Sequence, residues 1–495
     1  MTSALRLTTR VGRHLSSRSY ATEAVLTKPA IHGQPVFQSH PHLVRRNEVT
    51  PGFPAEEYEA RRKKLMDSLP DDSIVVSVAG TIKYMSGSIF YDFRQASDFW
   101  YLTGFQEPDA AVILEKNSTS RGYRMTLFSS GKDSSKEQWE GARTSFTDAC
   151  THFHADDARS IDDFSSHFRS IAKQYSHVYL DVPPAKTRRG MKSASKSFLK
   201  YLAGTASPIT DPIIEMLNQK PRPLQPQLAR LRAIKSENEQ KVMREAGDIS
   251  GRAHAKTMRF TRPGLSESAV AAHFQYLCSL SGAQRLAYVP VVASGPNSLI
   301  IHYTSNNQVI QPGELVLIDA GCEYNGYASD ITRTYPANGT FTPEQRDLYA
   351  AVLSVQKELV EKCSESANVT LYDLHAQSCQ LLRQELVQLG FQLSAGDVER
   401  LYPHFLSHPI GIDLHESDFF NRSQTIKAGM VITIEPGIYV PPSPAFPKHF
   451  HNIGIRIEDE VLVGEKHPTV LSVSAPKEIT DVEGACQGLL GLEPL

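Results

Sequence analysis

The sequence predicts an α/β N-terminal domain followed by an α+β domain with pseudo-twofold halves. Three observations carry that reading. Apolar strands alternate with helical stretches up to about residue 215. A polar, proline-rich stretch, NQKPRPLQPQ from Asn218 to Gln227, then breaks the pattern. Beyond it, helix starts of one kind recur about 105 residues apart, each followed by a second helix and then strands. With 495 residues and 40% apolar content, the chain can bury two or three cores.

The first twenty residues, MTSALRLTTRVGRHLSSRSY, stand outside that frame. They hold Arg6, Arg10, Arg13 and Arg18, many hydroxyls, and no acid before Glu23. Leu5, Leu7, Val11 and Leu15 can form an apolar face opposite the arginines. This is the composition of a mitochondrial transit peptide, so residues 1–20 are set aside and a matrix location is expected. Six scattered cysteines without a CxxC pair suit such a reducing compartment. A net charge of −2 and a pI near 6.8 give no reason to expect nucleic acid as partner. No run approaches the roughly 20 apolar residues of a membrane helix, so no membrane span and a soluble mature protein are expected.

Expected boundaries follow: an N-terminal domain over 45–217, a linker over 218–227, a second domain over 228–478 and a tail over 479–495. Within the first domain, EEYEARRKKLMDSLP (Glu56 to Pro70) reads as a helix, and SIVVSVAG, FWYLTGF and AAVILEK read as strands. In the second, Ser236-Glu237-Asn238-Glu239 is a capping box, with Val242, Ala246, Ile249 and Ala253 at helical spacing behind it. Thr342-Pro343-Glu344-Gln345 repeats that start, ahead of Leu348, Val352, Val355 and Leu359. The partner helices begin near Ser266 and Thr370.

Chemistry enters at LIDAGCEYNGYASD, Leu317 to Asp330. If Asn325-Gly326 is a two-residue turn, Tyr324 faces Tyr327, Asp319 faces Thr332 and Gly321 faces Asp330. Asp319 and Asp330 then share a face, diagonally offset, roughly 7–8 Å apart at the backbone. Two carboxylates on a largely apolar sheet repel unless a proton or cation lies between them. MVITIEPG adds Glu435 at the end of an apolar strand, and IGIRIEDE puts Arg456 and Glu458 on one face. Between them, PHFLSHPIGIDLHE offers His404, His408 and His415, where Pro409 and Gly411 argue against a helical HExxH site. Two aspartates, a histidine and two glutamates make an oxygen-rich donor set that suits manganese, cobalt or zinc. Two ions sharing such carboxylates lower the pKa of a water between them.

These residues resemble, in order and spacing, the metal ligands of the pita-bread metallopeptidases, the family of aminopeptidase P, prolidase and methionine aminopeptidase. LIDAGCEYNGYASDITRTYP, LSHPIGIDLHE, ITIEPGIYV and NIGIRIEDE look like the aminopeptidase P and prolidase branch. YDFRQASDFWYLTGFQEPDAAVIL, Tyr91 to Leu114, is similar to the N-terminal domain of two-domain aminopeptidase P. The likeness spans about residues 45 to 475.

The resemblance implies a creatinase/aminopeptidase-like catalytic domain and two divalent ions, manganese first. Asp330 and Glu458 would bridge the ions, Asp319 would hold one, and His408 and Glu435 the other. Glu435 would also relay a proton, His415 would stabilise the oxyanion, and His302 would contact substrate. Arg456 would hold the charge network, while His404 and Tyr439 would line the specificity pocket. The implied activity is removal of one N-terminal residue from peptides or imported mitochondrial precursors, Tyr, Leu or Phe after processing or Xaa from Xaa-Pro, by metal-activated hydroxide and by a protein that forms homo-oligomers. Arg18-Ser19-Tyr20-Ala21 is similar to the substrate pattern of the intermediate-cleaving branch, with a mature start at Ala21. A prolidase-type dipeptidase and a non-catalytic pita-bread binding protein are the rivals.

Overall fold

The computed structural model describes residues 28, 30–117, 119–181 and 221–490. The expected transit peptide and the start at Ala21 lie outside them, as does the end of the N-terminal domain. Among the described residues, no helix is long and apolar enough to cross a membrane.

The N-terminal domain is a six-stranded mixed sheet. Its order is Arg222–Pro223, His177–Leu180, Ser73–Val78, Ala111–Lys116, Tyr123–Ser129 and Asp157–Ser160. The helix over Ala55–Ser68 forms as expected. FWYLTGF does not form a strand. Ser97–Thr103 is a helix, stopped by Gly104 in the left-handed region at φ 68°. Phe99, Trp100, Tyr101 and Leu102 are all buried, so the segment is apolar all round and carries no period to separate helix from strand.

The expected linker is also ordered in its second half. Arg222–Pro223 adds an edge strand, where a proline costs no ladder bond. Gln225–Ala233 is a helix with Pro226 in its first turn.

In the second domain, both capping boxes close as read. Ser236 and Thr342 start the helices Glu237–Phe260 and Pro343–Val360. Ser266 and Thr370 cap their partners, Glu267–Leu280 and Leu371–Gln388. Each helix pair is followed by antiparallel strands. The first set is Val291–Ser294, Leu315–Asp319 and Thr332–Pro336; the second includes Val431–Ile434 with Asp459–Leu462, and Gly437–Val440 with Ile453–Arg456. The helices and strands pack around one apolar core that includes Phe274, Ile318, Leu348, Leu382, Ile432 and Ile455. The expected C-terminal tail instead opens with a helix, Ile479–Gln487, whose Val482 and Ala485 are buried in that core.

The two domains meet at the Asn325-Gly326 turn. Both residues take positive φ, 49° and 83°, as a two-residue hairpin turn requires. A Cβ on Gly326 would fall 2.6 Å from the Trp100 ring, so only glycine fits beneath that indole. Phe53 stacks on Tyr327 with ring centroids 5.4 Å apart, and the Tyr327 hydroxyl donates to Glu239 Oε1 at 2.7 Å. Arg232 ties the junction from the side, donating to Asp98, Asp413 and Glu416 at 2.6–3.2 Å.

Candidate metal centre

The hairpin register is the one the turn dictates. Tyr324 pairs with Tyr327, and Asp319 with Thr332. Between those pairs the ladder is irregular. Ala320 N donates to Ile331 O and Ser329 N to Cys322 O, and the backbones approach so closely that a Cβ on Gly321 would fall 1.8 Å from Ser329 O. That break turns Asp330 inward beside Asp319. Both face a tyrosine that the sequence reading missed. The Tyr288 hydroxyl lies 2.5 Å from Asp319 Oδ1 and 2.6 Å from Asp330 Oδ1. A phenol has one proton to give, so the second contact is satisfied when that carboxyl carries its own.

Glu458 joins them from just past the strand Ile453–Arg456. It accepts from the Thr332 hydroxyl at 2.6 Å, and its backbone N–H donates to Thr332 O at 3.1 Å. His408 closes the cage, with Nε2 3.3 Å from Asp330 Oδ2 and 3.7 Å from Glu435 Oε1. Its Nδ1 lies 3.2 Å from Pro409 O, and a hydrogen bond there leaves Nε2 with a free lone pair. Ligand atoms of Asp330, His408 and Glu458 all fall within 4.8 Å of one another. Thr433, also unforeseen, holds the opposite wall: its hydroxyl donates to Glu435 Oε1 at 3.3 Å and accepts from His408 N at 3.1 Å.

Arg456 is fully enclosed and makes the charge network explicit. It donates to Asp319 Oδ2 at 2.5 Å, Thr332 Oγ1 at 3.0 Å and the Tyr439 hydroxyl at 2.8 Å. Tyr439 in turn meets His404 Nε2 at 2.9 Å, and His404 Nδ1 lies 3.7 Å from Glu435 Oε2. His415 packs against His408 with ring centroids 4.3 Å apart. His302 sits on the exposed rim, near enough to His415 to depress its pKa. Every candidate residue is therefore brought to one place.

Charge decides what the place can hold. Burial pushes the Asp330 carboxyl well above its ordinary range, and Asp319 adds to it. Glu458 is raised by burial, then by Asp330 and Asp319; Glu435 is raised by burial, then by Glu458. Burial drives the histidines the other way, His408 to about 4 and His404 to about 3. His415 falls to about 4 through burial, then through His408 and His302. Four convergent carboxylates therefore face one guanidinium and neutral imidazoles. Such a donor set is completed by divalent metal, and Asp330, His408 and Glu458 are close enough together to hold it.

A cage of hard oxygen donors on strand ends and loops, beside a mixed N-terminal sheet, fits the class of the metallopeptidases. Residues 241–465 match metallopeptidase family M24, and residues 58–179 match the aminopeptidase P N-terminal domain. The chain is 39% identical over 457 residues to intermediate cleaving peptidase 55 of Saccharomyces cerevisiae, covering 92% of this chain and 88% of that one. It is 36% identical over 471 residues to human Xaa-Pro aminopeptidase 3, covering 92% and 90%. The crystal structure of Icp55 from Saccharomyces cerevisiae superposes with a TM-score of 0.79 at 37% identity, over 89% of this chain and 99% of that one. Aminopeptidase P from E. coli, with the inhibitor Pro-Leu, gives 0.76 at 30% identity, over 88% and 99%. The chain belongs to metallopeptidase family M24, with an aminopeptidase P N-terminal domain, and membership implies use of divalent metal.

Proposed function

We propose that this protein is a mitochondrial aminopeptidase that removes a single N-terminal residue from peptides or imported precursors. The convergence of Asp319, Asp330, His408, Glu435 and Glu458 carries the reading. Near full-length similarity to intermediate cleaving peptidases, one of them named as mitochondrial, supports the substrate and the location. A matrix site, a mature start at Ala21, and substrates that begin with Tyr, Leu or Phe after processing, or with Xaa-Pro, belong to the same proposal. N-terminal sequencing of the protein from mitochondria tests the start.

Asp330 and Glu458 would bridge two ions, Asp319 would bind one, and His408 with Glu435 the other, manganese being the first choice and cobalt or zinc the alternatives. When bound, the pair supplies a water of lowered pKa and polarises the scissile carbonyl. Glu435, 3.7 Å from His408 Nε2, would take a proton from the attacking water and pass it to the leaving amine. His415 is held neutral and donates an N–H to the developing oxyanion, with His302 beside it on the rim. Arg456 fixes Asp319 and Tyr439 in place, and Tyr439 with His404 shapes the pocket for the released residue.

The mature protein, stripped with chelator and reloaded with manganese, should release tyrosine from a decapeptide beginning Tyr-Ala. Release from an Xaa-Pro dipeptide alone would make it a prolidase, and no release from either would leave a binding protein. Homo-oligomerisation is part of the proposal. The exposed hairpin Tyr84–Phe90 and Tyr91 present Tyr84, Met85, Ile89, Phe90 and Tyr91 to solvent, a patch that a second copy would cover. Light scattering on the purified protein checks it.

A further inference from the structure

We propose that His32, Asp148 and His152 form a second metal site, for one zinc-class divalent ion, in the N-terminal domain and apart from the catalytic cage. Their ligand atoms all lie within 4.8 Å of one another. Asp148 and His152 stand one turn apart on the helix Phe146–Phe153, so both leave the same face. His32 arrives from the start of the described chain. Its ring meets His152 edge-on with centroids 5.3 Å apart, and its Nδ1 lies 3.8 Å from Asp148 Oδ2. The His32 side chain is 8% exposed, and among the described residues its buried Nδ1 has no hydrogen-bond partner. An unpaired buried nitrogen is costly, and a metal bond satisfies it.

The chain positions His32 without help from an ion. Gly33 N donates to Thr144 Oγ1 at 3.3 Å. Gln34 Nε2 donates to Val49 O and Gly104 O at 3.2 and 3.1 Å, and Gln34 Oε1 accepts from Gln106 N at 2.8 Å. Gly33 is pressed on Glu107, where a Cβ would fall 1.9 Å from Oε1. The entering segment thus has one path, and that path delivers an imidazole to a helix already offering a carboxylate and a second imidazole. Burial lowers the His32 pKa, outweighing the Asp148 carboxylate, which favours the neutral, ligating form. Two histidines, an aspartate and a water make a tetrahedral zinc donor set. Lys132 opposes a cation here: its ammonium donates to Ile31 O, next to His32, and its charge is shared with Glu137, 3.7 Å away. The ion would clip the N-terminal segment to the sheet domain, and this does not rest on the catalytic reading.

The test separates the two centres. The mature chain carrying Asp330→Asn and Glu458→Gln is dialysed against micromolar zinc, then against metal-free buffer, and its metal is counted by mass spectrometry. One equivalent should remain, and adding His152→Ala or His32→Gln should remove it. Cobalt loaded in place of zinc should give the visible absorption of a tetrahedral ion, lost in the same variants. On the unmutated catalytic background, His32→Gln should keep full turnover while proteolysis at the N-terminal segment speeds up. No retained zinc with the trio intact, or equal zinc in the parent and in both histidine variants, overturns the site. His32→Gln keeps the test open if His152→Ala fails to fold.

Discussion

Glu458 and Asp459 are adjacent in sequence, and both are buried, yet they meet opposite surroundings. Asp459 lies within 2.6 Å of both Arg333 Nη2 and Lys477 Nζ, and it accepts from Ser472 Oγ at 2.7 Å and Gln356 Nε2 at 2.9 Å. Burial alone would raise its carboxyl, but Arg333 and Lys477 bring it well below the ordinary range. One residue back, burial, Asp330 and Asp319 drive Glu458 the other way. Asp459 has its countercharge built into the chain, on Arg333 and Lys477. At Glu458, Arg456 opposes the carboxylates, and bound divalent metal would supply the remaining countercharge. The first arrangement builds structure, and the second builds chemistry.

The largest way to break that contrast is Asp330→Asn, which should lower kcat/KM on the order of 10³-fold, since the proposed bridging ligand and its charge would both be lost. The same change should raise the melting temperature of chelator-treated protein, because it removes one of the mutually repelling acids. A fall in that temperature would mean the cage is structural. Asp459→Asn should do the reverse, costing about 3–5 kcal/mol in urea unfolding by leaving the enclosed Arg333 without its carboxylate. An unchanged midpoint would erase the distinction between Glu458 and Asp459.

pH sharpens it further. Asp330, Glu435 and Glu458 have folded-state pKa values above their ordinary ones, so the metal-free protein favours low pH and loses stability as pH rises through those raised values. Asp459 is depressed, so its contribution is present above the ordinary carboxylate range and is lost as pH falls through the lowered value. Manganese binding must expel the protons of the raised group. Calorimetry in buffers of different ionisation heat should therefore show proton release, with affinity weakening toward acid. The smallest effect is expected of Tyr288→Phe, which removes a hydroxyl beside two ligands and should weaken manganese binding about 10-fold. Equal affinity in a metal titration would make Tyr288 a bystander.

Much of this was legible in the chain because it is local. An Asn-Gly turn fixes register, so the pairing of Asp319 with Thr332 could be counted out in advance, and four helix starts were marked by caps at Ser236, Ser266, Thr342 and Thr370. What escaped depends on neighbours distant in sequence. Tyr288 reaches the aspartates only because Val291, three residues on, pairs with Asp319. Thr332 could have been found, since it opposes Asp319 and stands two residues past Asp330 on the same face. The buried segment Ser97–Thr103 gave no periodicity, and Pro226 looked like a breaker because a proline in a first helical turn reads the same as one in a loop.

The indole of Trp100 over Gly326 has a practical meaning. The lever that aims both aspartates is clamped from the other half of the molecule, so the first domain acts as a jig for the second. Heated, the two halves should melt as one cooperative unit. A chain shortened to the family M24 region alone would keep every catalytic side chain and still aim them badly.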